Sequence, residues 1–145
     1  MYDQLIQTQI TAARFACKRI GPQGLKALRE SVEEACRLQA DTGWEQKAAA
    51  HAAFFSVLAE AADDPVIGSV LVSGSGLVYD LMMMAGRATH GIAINSRRRF
   101  LECLDAGDPE AAARALEEHL RILHFMCRLA GRHRSEWRRG TRKEN

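Results

Sequence analysis

The stretch that decides the fold is KAAAHAAFFSVLAEAADDPVI, residues 47–67. Ala48, His51, Ala52, Phe55, Leu58 and Ala62 recur at steps of three and four, the spacing of one face of a helix. Asp64-Pro65 then reads as a fresh start, with Asp as N-cap and Pro in the first helical position. Two helices therefore meet with no room for a strand between them. One polar side chain, His51, sits inside the apolar row. It is either a histidine satisfied within the core or part of a chemical site.

The same period extends in both directions. A first helix is predicted from Leu5 to about Arg19, with Ile6, Ile10, Ala13 and Cys17 facing inward. GPQG at 21–24 breaks it. A second runs from about Leu25 to Leu38 through Leu28, Val32, Ala35 and Cys36, and a third from Trp44 to Ala62. The fourth reaches about Ala85, with an interruption expected at SGSG, 73–76, as a kink or a close helix approach. A phosphate-cradling loop is disfavoured there, since no strand precedes it and no Lys-Ser or Lys-Thr follows. The fifth spans about Ala88 to Asp105. The sixth opens at Asp108-Pro109 and carries Ala112, Ala115, Leu116, His119, Leu123, Met126 and Leu129 on one stripe. Short connections predict an all-α antiparallel bundle of about six helices. The 47% hydrophobic content of 145 residues is enough for one core.

Composition excludes several classes. Cys17, Cys36, Cys103 and Cys127 lie far apart without a C-x-x-C pair, so they read as small hydrophobes in a reducing, cytoplasmic setting. The uncharged run between Asp64 and Asp80 is too short and too rich in Gly and Ser to suggest a bilayer span. H-E-x-x-H, G-x-S-x-G, a P-loop and a Glu-x-x-His metal pair are all missing, which argues against an enzyme. Charge is uneven: residues 128–145 hold seven basic and two acidic groups, a net of +5, against −3 for the rest. Residues 131–145 are expected to form a flexible basic tail behind a domain of residues 1–130. No basic face in the body supports a nucleic-acid site.

What remains is a set of polar residues on inward faces: His51 with Phe55 one turn on, His119 in the sixth stripe, and Arg97 with His90 two turns before it. A core-side arginine is costly without an anion or a hydrogen-bonding partner, and its planar fork suits a carboxylate. The alternative reading keeps the histidines as core residues and makes SRRRF, 96–100, a solvated face with only Phe100 turned in.

HAAFFSVLAEAADDPVI resembles a motif of the FadR C-terminal (FCD) domain, the effector-binding module of many GntR-type transcription regulators, D-x-x-F-H-x-x-L-x-x-A-S-x-N-P-x-L. Phe54, Leu58, Ala61, Asp64 and Pro65 follow it without a gap. RRRFLECLDAGDPEAAARALEEHL resembles a second family motif through Phe100, Leu101, Leu104, Gly107, Asp108, Ala112, Leu116, His119 and Leu120. QITAARFACKR loosely resembles the family's first helix.

The resemblance implies a pocket inside the bundle, a homodimer, and operator DNA bound only through an N-terminal winged-helix domain; that domain is not visible in this sequence. The chain is therefore expected to be the effector domain of a longer regulator. In many members an Asp, a His four residues on and two further His hold a divalent metal. By position these are His51, Phe55, Arg97 and His119, of which only His119 matches. That set disfavours a metal and points to a small organic acid or acyl-type ligand held by Arg97, with His51, Phe55, His90 and His119 lining its site and no membrane partner. Two alternatives stay open: a helical dimerisation protein with a decayed pocket, and a metal-binding member of the family.

Overall fold

The computed structural model describes residues 2–38 and 42–143, with side chains described as far as residue 132. Six helices follow one another: α1 (Tyr2–Cys17), α2 (Pro22–Arg37), α3 (Trp44–Ala62), α4 (Pro65–Ala85), α5 (Thr89–Asp105) and α6 (Pro109–Lys143). No strand occurs among the described residues.

The punctuation is chemical. Asp64 Oδ1 accepts from the backbone N–H groups of Val66 and Ile67 at 2.9 and 3.0 Å, which starts α4 behind Pro65. Asp108 does the same for Ala111 at 3.0 Å and starts α6. Asp63, at φ 50°, ends α3 in the left-handed region, and Arg19 Nε donates to the Ala62 carbonyl at 2.8 Å. The α3–α4 corner is thus tied to the end of α1.

α3 is the centre of the bundle, packing against α4, α2, α1 and α5; α5 and α6 pair along their length. Phe54, Phe55, Leu58, Leu71, Leu81, Met82, Phe100, Leu116, Leu120 and Leu123 are fully buried. Cys17 lies in the core, where burial pushes its thiol up to about 12; the other three cysteines are only half-buried.

One expectation changes in part. The SGSG stretch does not interrupt α4, which is continuous from Pro65 to Ala85. Its glycine serves the second of the two expected roles, a close helix approach: Gly74 is buried against Gln9 of α1, whose Nε2 donates to the Val70 carbonyl at 2.7 Å. A Cβ at Gly74 would overlap the Gln9 amide. Gly74→Ala is therefore expected to cost about 1–3 kcal/mol despite its better helix propensity. Adding Gln9→Ala should return part of that loss. Denaturant unfolding of the two single variants and the double one tests this; additive losses would sink it.

Residues 131–143 do not begin with a break. α6 runs on through them to Lys143, and residues 144–145 lie outside the described part. The apolar stripe outlasts the bundle, so Leu123 is buried whereas Leu129 and the neighbouring Phe125 are exposed. By length and composition α4 could also cross a bilayer, with 21 residues and a mean hydropathy of 1.6. Here it buries one face against α1, α3 and α6 and leaves the other uncovered.

Candidate functional site

The inward polar residues meet where α3, α5 and α6 converge. The row on α3 places His51 and Phe55 one turn apart. Both are buried, at 1% and 0% exposure. Helical spacing turns Arg97 and Phe100 of SRRRF into the core and leaves Arg98 and Arg99 outside. Arg97 is 2% exposed and His119, from the α6 stripe, 1%.

These residues form two linked pairs. Arg97 Nη1 lies 3.1 Å from His119 Nδ1, and His51 Nε2 lies 2.9 Å from Nδ1 of the half-buried His90. The Arg97 guanidinium carbon stands 4.3 Å from the centroid of the Phe54 ring and 5.4 Å from that of Phe55. Phe54 in turn packs edge-on against Phe55 and Phe100. The phenyl faces give the cation partial compensation. No carboxylate hydrogen-bonds to it or forms an ion pair with it among the described residues.

Hydrogen-bond accounting leaves a pattern. Arg97 Nε and Nη2, His119 Nε2 and His51 Nδ1 are buried without partners among the described residues. Arginine is only a donor, so Arg97 Nη1 gives its proton to His119 Nδ1, and neutral His119 carries its own hydrogen on Nε2. Three of the four orphans are therefore N–H donors. Two of them, Nε and Nη2, form one edge of the guanidinium, the fork that grips a carboxylate or phosphate with two parallel bonds.

Electrostatics agree. Burial, then the Arg97 charge, lowers His51 to about 3 and holds His119 well below the ordinary histidine range. His90 is lowered by burial and then by Lys47. Burial alone brings Arg97 down to about 9. At neutral pH the cluster is one cation among neutral imidazoles.

Phe54 and Phe55 fill the interior beside the guanidinium, and recesses reach the cluster from two sides. One, of about 220 Å3 between α5 and α6, is lined by Asn95, Ser96, Ile92, Ile122 and His119, with the Arg99–Glu118 ion pair at its edge. The other, of about 90 Å3, touches His90. A larger open groove of about 690 Å3 between α1 and α4 lies apart from this chemistry.

All five residues singled out from the sequence fall in or beside this cluster. Sequence reading missed Phe54 as a site residue, although it stands in the quoted motif and is the nearer of the two phenyl rings to the Arg97 cation.

Searches against curated proteins and solved structures returned no match. A comparison with protein-family models does: the model described as FCD domain matches residues 9–122, well over half of the chain, and spans all four positions His51, Phe55, Arg97 and His119. With six helices in the expected order and the two motif segments folded around one interior cluster, this chain belongs to the FCD domain family.

Proposed function

We infer that this is the effector-binding and dimerisation domain of a GntR-type transcription regulator, and that its effector is a small organic anion gripped by Arg97. The observation that carries the reading is the buried guanidinium edge with both N–H groups unpartnered. Buried donors without acceptors are rare and cost about 1–3 kcal/mol each, so a ligand supplying two oxygens removes a standing penalty. His119 Nε2–H adds a third donor, and the recess beside His119 offers room for the body of an organic acid.

A divalent metal fits these residues poorly. The His119 Nδ1 lone pair accepts from Arg97, Phe55 offers no donor atom, and at most one imidazole lone pair, on His51 Nδ1, is left beside a fixed cation. Divalent ions in such sites need several lone pairs, carboxylates among them.

Calorimetric titration with a panel of carboxylates and acyl-type acids tests the proposal. At least one is expected to bind, and Arg97→Met should weaken it by about a hundredfold, the loss of a charge-assisted bidentate contact. Equal affinity in the variant overturns the reading.

The same proposal assigns dimerisation to the α1–α4 groove, with a second copy of the chain as occupant. Not one residue lining it is charged, although 26% of the chain is. A two-fold interface sets a patch against itself, and a charge near the axis would face its like. Phe15 at 56% and Val66 at 75% exposure supply the apolar area. Val66→Asp should shift the monomer–dimer equilibrium at least about tenfold toward monomer by sedimentation, since each dimer would hold two unpaired carboxylates. An unchanged mass excludes this face.

A further inference from the structure

The recess against His90 has a chemistry that the effector reading leaves unused. It lies between the start of α3 and the α4–α5 turn and is lined by Thr42, Trp44, Lys47, Arg87 and His90. Its volume of about 90 Å3 equals roughly three water molecules. That is too small for an extended organic acid and suits a compact oxyanion.

Among the described residues its lining holds two permanent cations, an imidazole and a hydroxyl, and no carboxylate. Lys47 is half-buried, and neither it nor Arg87 makes a side-chain hydrogen bond or ion pair among the described residues. Two like charges thus line one recess without an acidic partner among the described residues. The backbone adds the same sign: α3 and α5 both begin here, and neither the Gly43 nor the Ala88 cap supplies a side-chain acceptor. Trp44 Nε1 donates to the Met82 carbonyl at 3.3 Å and fixes one wall.

We propose that this recess binds a tetrahedral oxyanion of the sulfate or phosphate class, at a site separate from Arg97. Lys47 and Arg87 supply the charge, and His90 and Thr42 supply donors. The site communicates with the interior through one hydrogen bond. An anion beside His90 favours its imidazolium, whose Nδ1–H then donates to His51 Nε2 across the 2.9 Å contact. Neutral His51 must then carry its proton on Nδ1, the buried nitrogen that has no partner. Filling the recess therefore adds a donor to the set that faces the effector, and the two sites reinforce each other.

The test is titration of the protein with inorganic phosphate and with sulfate, at ionic strength held constant by chloride. The readouts are calorimetry and the imidazole resonances of His90. Saturable binding is expected, weakened about tenfold or more by Lys47→Gln at the half-buried position and by a smaller factor by Arg87→Gln at the exposed one, each of which removes one of the two cations lining the recess. Arg97→Met should retain the affinity within about threefold, because that side chain lies outside the recess. Phosphate should also raise the His90 titration midpoint. No saturation up to about 10 mM, the range of weak specific sites, overturns the proposal. So does binding lost in Arg97→Met but kept in both glutamine variants, a result that would place the anion at the effector site and leave that reading intact.

Discussion

Arg97→Met is expected to stabilise the ligand-free protein by about 3 kcal/mol, raising Tm by about 10 °C for a chain of this size, while weakening effector binding about a hundredfold. Arg97 is wholly buried and faces neutral imidazoles and phenyl rings rather than a carboxylate. Its fall from the ordinary arginine range above 12 to about 9 corresponds to roughly 5 kcal/mol borne by the native state. Methionine has similar reach and no charge. About 2 kcal/mol is lost again, because His119 Nδ1 forfeits its donor and Phe54 its cation.

The pH dependence gives the proposal a sign. Below about pH 9 the guanidinium is protonated in both folded and unfolded chains, and the full cost is present. Above it the folded state gives up the proton while the unfolded state keeps it, so this group's penalty fades as pH rises toward 12. The stability gap between Arg97→Met and the parent should therefore be flat from pH 6 to about 8.5 and narrow above 9. Urea unfolding at a series of pH values measures it. A variant less stable than its parent would show that the interior already neutralises the charge.

The second large effect is a gain. His51→Asp, Phe55→His and Arg97→His together restore the carboxylate and the two imidazoles that metal-binding members of the family carry, with His119 completing the set. The positions converge: Arg97 touches His119 and lies 5.4 Å from the Phe55 ring, while His51 and Phe55 are one turn apart on α3. Removing the guanidinium also frees the His119 Nδ1 lone pair. The triple variant is expected to bind zinc or nickel about a thousandfold more tightly than the parent and to melt about 4 kcal/mol higher in saturating metal. A folded variant without metal affinity would mean that the four positions do not share one centre.

Most of the fold was legible because α3 and α6 carry unbroken 3.6-residue rows and because Asp-Pro twice marks a helix start. The α3 bounds, expected at about Trp44 to Ala62, agree with the structure. α1 and α2 begin three residues before their predicted starts at Leu5 and Leu25, at Tyr2 and Pro22, since the opening turn of a helix needs no buried side chain. Continuity through SGSG could not be read locally. The cost of glycine is met by a partner, Gln9, that lies 65 residues away in sequence.

The site was legible as a set of residues and not as an arrangement. Spacing put Arg97 on an inward face but could not choose between that reading and a solvated SRRRF run, because the choice depends on which helix covers it. Nor does spacing say which nitrogen meets which: His119 rather than His51 took the guanidinium, and His90 took His51. Phe54 was overlooked because α3 touches neighbours on several sides. A single row of every third and fourth residue describes only one face of such a helix.

The uninterrupted sixth helix has a mechanical corollary. From His119 to Lys143 it extends 24 residues, about 36 Å at the helical rise. A tilt of about 5° set by whatever fills the interior beside His119 would displace the far end by about 3 Å. The basic residues at that end would then report, as leverage on anything they touch, an event that takes place among buried rings.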